Sequence, residues 1–209
     1  MTQDELKTLL TSKKSKDRLR AAKQIGKSMI YDLAEDLLMA YRKELSDSRT
    51  WQTQVEMIKS IGLLRIDDAI TLIDPIIQEN KEHDMITYAA AECYVRLQRE
   101  TINDATPVIE LLKFGRFSIV DGCLNPLGYD RMIPTDTQIK ELIELSWNLH
   151  KNKERGHTDP RYGIAAACAG WNPELTNGFL NHCLETANND TPLKYVAENS
   201  LKGKYVRLR

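Results

Sequence analysis

Several chemistries are missing from this chain before any pattern is sought in it. At least fourteen residues separate each of the four cysteines, Cys93, Cys123, Cys168 and Cys183, from the next. No Cys-x-x-Cys pair therefore exists, which removes zinc-knuckle and thioredoxin-type spacings. The ten glycines are scattered singly and form no phosphate loop, and no Gly-x-Ser-x-Gly elbow occurs. None of the four histidines, His83, His150, His157 and His182, belongs to a His-x-x-x-His pair. Nor does any apolar run reach the roughly 18 residues of a membrane helix. The formal net charge is −1, so the basic excess usual for nucleic-acid binding is lacking.

These absences set expectations. The first residues, Met1-Thr2-Gln3-Asp4-Glu5-Leu6, lack the basic-then-apolar layout of a signal peptide. Reduced, mostly buried thiols in a cytoplasmic protein follow. No metal, cofactor or catalytic group is expected. His182 and Cys183 are adjacent and so face different sides of a helix, which disfavours joint ligation. Glu141 and Glu144 read as a solvated helix face rather than a catalytic pair.

What is present is helical spacing almost everywhere. Leu33, Leu37, Leu38 and Tyr41, or Leu142, Leu145 and Leu149, recur at threes and fours. Short polar stretches punctuate the pattern, among them Ser46-Asp47-Ser48-Arg49, Thr101-Ile102-Asn103-Asp104 and Asn188-Asn189-Asp190-Thr191-Pro192. The reading is all-α, with about twelve helices, more than 60% helix and no sheet, in a single domain over 1–209.

Repeats follow from small residues. Arg18, Ala21, Ala22, Ile25 and Gly26 form one copy, and Pro192, Lys194, Ala197, Ser200 and Leu201 another. A third runs from Ala165 to Gly170, weaker copies run to Gly62 and Tyr94, and one more ends at Gly128, so the copies end at 26, 62, 94, 128, 170 and 202. The fourth is degenerate, with Pro126 where a helix should continue, and the long interval after it points to an insertion around 129–136 or 150–158. Each interval suits one αα-hairpin. Ala at adjacent positions lets the second helix of each pair approach its neighbour. The expected buried set is Ala21, Ile25, Ile58, Ile61, Ala90, Cys93, Ala166, Ala169, Ala197 and Leu201.

These copies resemble HEAT repeats, particularly the short HEAT-like variety of phycobilin lyases and many bacterial proteins. The resemblance implies an α-α superhelix of about six helical pairs, a right-handed curved solenoid with the second helices on its concave face. It implies binding more than chemistry, because one scaffold serves many functions.

Charge is the strongest functional signal. From Asp67 to Glu110 ten acids face three bases, Lys81, Arg96 and Arg99. Residues 13–27 carry seven bases against Asp17 alone, and Lys194, Lys202, Lys204, Arg207 and Arg209 make the far end basic. An acidic middle suits a basic protein partner, because opposite fields steer association. The function expected is a non-enzymatic, stoichiometric binder of one basic protein, such as an immunity protein against a toxin nuclease. Glu79, Glu82, Asp84, Glu92 and Glu100 are the candidate partner-binding residues.

Two alternatives remain. HEAT-like alkylpurine DNA glycosylases use aromatic residues and an acid; Trp51, Trp147, Trp171 and Asp159 supply these in type only, and the acidic middle argues against a DNA groove. A phycobilin-lyase-like protein shares only the generic repeat pattern.

Overall fold

Thr2 and Thr135 each open a helix by the same reciprocal exchange. The Thr2 hydroxyl accepts the Glu5 N–H at 3.2 Å while the Glu5 carboxylate accepts the Thr2 N–H at 2.8 Å. Thr135 and Gln138 repeat it at 3.3 and 3.2 Å. Two of the orphan donors at a helix start are thereby satisfied together. Asn172 and Asp190 cap two further helices, each followed by proline in the first turn.

The computed structural model describes residues 1–152, 157–187 and 190–206. The protein is 76% helix, and no strand occurs among the described residues. Asn188-Asn189, part of the 150–158 insertion and the terminal Arg207 and Arg209 lie outside the described residues. No described helix is long and apolar enough to cross a membrane.

The chain divides into two compact units, Met1–Leu97 and Gln98–Arg209. The first holds α1 (Gln3–Leu10), α2 (Ser15–Lys27), α3 (Ala34–Glu44), α4 (Trp51–Leu64), α5 (Ile70–Glu79) and most of α6 (Met85–Gln98). There α2 packs against both α1 and α4, and α3 against α4. The second holds α7 (Thr106–Phe114), α8 (Phe117–Tyr129), α9 (Asp136–Lys151), α10 (Arg161–Ala167), α11 (Pro173–Thr186) and α12 (Thr191–Ser200). Here α10 packs between α8 and α12, while α9 touches α7, α10 and α11. All six small-residue copies fall on the even-numbered helices or the turns that end them.

Their small residues do what close helix approach requires. Ala21, Ala22, Ala89, Ala90, Ala165 and Ala166 are wholly buried. A Cβ at Gly26 of α2 would stand 2.9 Å from the Ser60 Cα of α4, and one at Gly62 would stand 2.9 Å from the Cys93 Cα of α6. The same hydroxyl-to-backbone bond then recurs within each unit. Ser60 Oγ donates to the Ala22 carbonyl at 2.8 Å, and Ser200 Oγ donates to the Ala165 carbonyl at 2.6 Å. The Ala22 carbonyl lies inside α2, and the Ala165 carbonyl lies in the last turn of α10, where helix carbonyls run out of partners of their own; in each case the bond fixes one helix against another.

A recurring turn ends three even helices. Ile30 N–H donates to the Ile25 carbonyl at 3.1 Å, Ile66 to Ile61 at 3.2 Å and Met132 to Leu127 at 3.0 Å. Three residues after Gly26, Gly62 and Gly128, the backbone turns left-handed at Met29, Arg65 and Arg131 (φ 52, 51 and 51°). This is the Schellman closure with a non-glycine residue in the strained position. Its return at Arg131 shows that the degenerate copy, in which Pro126 sits inside α8, still ends as the others do.

Eight of the ten expected core residues are buried. The other two correct the sequence reading. Ala169 is only half-buried, because α10 stops at Ala167 and continues as a 3₁₀ turn over Cys168–Gly170, which changes the angular step per residue. Leu201 is 37% exposed, since α12 ends at Ser200 and the chain leaves the helix face there.

Candidate functional site

Ile73 and Ile77, four residues apart and almost wholly buried, decide which way α5 faces. With them inward, Asp74, Gln78 and Glu79 are exposed. Asp67 and Asp68 stand exposed on the 3₁₀ turn that leads into α5, where negative charge suits the helix N-terminus. Glu82 follows in the turn before α6 and is exposed too. The segment from Asp67 to Glu82 thus shows six exposed acids or amides, five of them acids once Gln78 is set aside. One cation lies in it. Lys81 holds Glu79 at 2.8 Å with both side chains 57% exposed, a pairing that raises the lysine pKa but neutralises a single charge.

The five acids chosen from the sequence have different fates. Glu79 and Glu82 belong to this face. Asp84 is half-buried and caps α6, its Oδ2 accepting the Thr87 N–H at 2.7 Å and the Thr87 hydroxyl at 2.6 Å. Glu92 is 6% exposed and bound to Arg96 Nη1 at 2.6 Å, with Arg96 itself 2% exposed. As a surface acid Glu92 is therefore a correction: one turn from a cation and flanked by buried Ala91 and Cys93, it belongs inside. Glu100 is exposed but lies in the second unit, where its backbone N–H donates to Asp104 at 3.1 Å. Burial pushes the Asp104 carboxyl up, yet hydrogen bonds from Thr106, Glu100 and Gln138 outweigh it and hold the group below its usual range. Asp67, Asp68 and Asp74 are the exposed neighbours that were not among those five.

A contrasting stripe lies on α2. Lys16, Arg20, Lys23 and Lys27 are spaced by four, three and four residues and all are exposed. Arg18 points away from it, gripping Glu44 through Nε at 2.6 Å and Nη2 at 2.7 Å and donating to the Ser12 carbonyl. Beside that pair lies a cavity of about 330 Å³ lined by Lys7, Arg18 and Lys43 and by Asp36, Glu44 and Asp47. Three cations and three acids give its lining no net charge, and Lys7 is held by Asp36 at 3.1 Å.

The tryptophans and the acid that a glycosylase-type site would use differ in exposure and in what they hold. Trp51 is 44% exposed, whereas Trp171 is 3% exposed with its indole N–H donated to the Met132 carbonyl at 2.8 Å. Trp147 lies under the buried Arg161 guanidinium at 4.7 Å and meets His182 edge-on at 4.6 Å. Asp159 is 5% exposed and committed to Arg161. Burial pushes all four thiols up, Cys183 to about 12, so none is a nucleophile near neutral pH. No group of three potential metal ligands occurs among the described residues.

The chain matches no protein-family model and no curated protein.

Proposed function

We propose that this chain is a HEAT-like α-solenoid that binds one basic protein stoichiometrically in the cytoplasm, most concretely as an immunity protein against a toxin nuclease. The observation that supports it is the exposed acidic stretch of Asp67, Asp68, Asp74, Glu79 and Glu82, in which Lys81 is the one lysine or arginine between 67 and 82. Exposed like charges project a field that raises the encounter rate of a cationic partner. The reading is non-enzymatic and needs no cofactor; its chemistry is charge and shape.

The helical-pair reading draws support from packing within each unit, where even helices contact even helices and the same cross-helix serine bond recurs. Stacked pairs of this kind bury a continuous core and leave helix faces for binding.

The test is capture from the source cell with two baits, the native chain and the variant Asp67→Lys/Asp74→Lys/Glu79→Lys. A basic protein retained at a one-to-one ratio by the native bait, and lost from the variant while the variant stays folded, supports the reading. Equal retention by both baits rejects it.

A second reading has its own observation, the α2 stripe of Lys16, Arg20, Lys23 and Lys27. Four aligned cations suit a phosphate backbone, and binding there would fall steeply with salt. A gel shift that is lost on Arg20→Glu/Lys23→Glu and kept on the α5 reversals would favour that reading.

A further inference from the structure

The last turn of α1, the turn into α2 and one side of α3 surround the cavity of about 330 Å³. All of its lining lies in the first unit, every residue of which is described. The volume falls at the small end of the range for ligand pockets, about 300–1,000 Å³. Leu10 and Ala40, both buried, and Met39, 45% exposed, give it an apolar wall.

The charged groups of the lining sum to zero, but they are not equally occupied. Glu44 is 4% exposed and accepts from Arg18 at both oxygens. Asp47 accepts from Arg49 at both of its own. Asp36 makes one contact among the described residues, Oδ2 to Lys7 Nζ at 3.1 Å, which leaves Oδ1 open. Lys7 is 60% exposed in that pair, so the contact holds it weakly. Among the cations, Lys43 has no hydrogen bond or ion pair to any described residue. Arg18 has five N–H groups and uses three, two on Glu44 and one on the Ser12 carbonyl.

One open acid and two cations with open donors therefore share a cavity with an apolar wall. Helix α3 sets their spacing. Asp36, Ala40 and Lys43 follow one another at four and three residues, so they lie on one stripe. Asp36 and Lys43 stand two turns apart, about 10 Å along the axis. An α-amino acid separates its ammonium from its carboxylate by about 3 Å, and a charge-assisted hydrogen bond of about 2.8 Å at each end brings the span to about 8–9 Å. The flexible stem of Lys43 covers the difference.

We propose that this cavity binds a free α-amino acid with an apolar side chain, its ammonium on Asp36, its carboxylate on Lys43 and Arg18, and its side chain against Leu10, Met39 and Ala40. A lining without net charge favours a ligand without net charge. A plain anion would leave Asp36 facing it, and a plain cation would face Lys43 and Arg18. Both charges of the zwitterion lose water on entry, and each finds a partner of opposite sign. The site is separate from the α5 acids and takes no part in the protein binding proposed above.

The experiment uses the full chain and four probes. Leucine is compared with leucinamide, which lacks the carboxylate, with N-acetyl-leucine, which lacks the ammonium, and with glycine, which lacks the side chain. Binding is followed by calorimetry and by NMR of the Met39 and Ala40 methyl groups. Leucine should bind saturably and shift both methyls, and each of the other three should bind at least about tenfold more weakly. Asp36→Asn and Lys43→Met should each weaken leucine binding about tenfold. Both should unfold close to the native temperature, because Asp36 gives up one weak surface pair and Lys43 has none. Arg42→Met, which removes an exposed cation of α3 outside the lining, should leave binding unchanged. Equal binding of N-acetyl-leucine would mean a plain carboxylate site, and equal binding of leucinamide a plain amine site; either result overturns the proposal. So does the lack of a Met39 or Ala40 shift at about 10 mM leucine, or leucine binding that survives both the Asp36 and the Lys43 substitutions.

Discussion

Arg161 grips Asp159 through two parallel bonds, Nε to Oδ1 at 3.0 Å and Nη2 to Oδ2 at 2.7 Å, inside the second unit. Neither residue is more than 5% exposed. Thr186 accepts from the third guanidinium nitrogen at 2.7 Å, and Trp147 covers the face. The pair joins the start of α10 to α9 and α11, so it acts as a fastening rather than a surface feature.

Removing one member leaves a buried charge without its partner. Asp159→Ala should cost about 3–5 kcal/mol in urea unfolding, whereas Asp159→Leu/Arg161→Met should recover most of it. A single variant as stable as the native chain would show that the pair is not a fastening.

The same pair fixes a pH dependence. Burial pushes the Asp159 carboxyl up, but hydrogen bonds from Arg161 and the charges of Arg161 and His150 outweigh it, so the folded value is depressed. A depressed carboxyl contributes stability above its unfolded value of about 3.9 and loses it as pH falls through the folded value. The stability gap between the native chain and Asp159→Leu/Arg161→Met should therefore shift against the native chain below about pH 4, as the Asp159 carboxyl takes up its proton. A gap that stayed unchanged from about pH 5 to 3 would contradict this assignment.

Two glycines should respond to alanine with opposite signs. At Gly26 the new Cβ meets Ser60 backbone at 2.9 Å, so Gly26→Ala should cost about 1–3 kcal/mol. Gly178, inside α11, has nothing within 4 Å of the position a Cβ would take, and Gly178→Ala should stabilise by about 0.5–1 kcal/mol. Thermal unfolding of both variants checks the close approach of α2 and α4 directly.

The thiols give a simple count. All four cysteines are buried with raised pKa, so a disulfide-exchange reagent at pH 8 should titrate none in the folded chain and four in denaturant. Rapid labelling of any one in the folded chain would show that its helix opens easily.

Helix content was open to reading because apolar spacing and caps agree, as at Thr2 and Glu5. The even helices announced themselves through Ala21-Ala22 and Ala165-Ala166, whose size matters for close contact. The phase of the last two copies was missed at Ala169 and Leu201, since a 3₁₀ turn and an early helix end leave no mark in residue spacing. Glu92 was misread from charge alone, although Arg96 four residues on and the run Ala89-Ala90-Ala91 are a signal for a buried pair.

The central claim is that the α5 face steers a basic protein, and association rates test it most directly. With the captured partner, stopped-flow binding should be measured at 25 and 300 mM salt for the native chain, for Asp74→Lys/Glu79→Lys and for Arg20→Glu/Lys23→Glu. The account predicts that the α5 reversals slow association about tenfold at low salt, with the difference narrowing at high salt and dissociation changing by less than about twofold. The α2 reversals should leave association as fast or faster. Unchanged association for the α5 variant, together with loss of binding for the α2 variant, would contradict it.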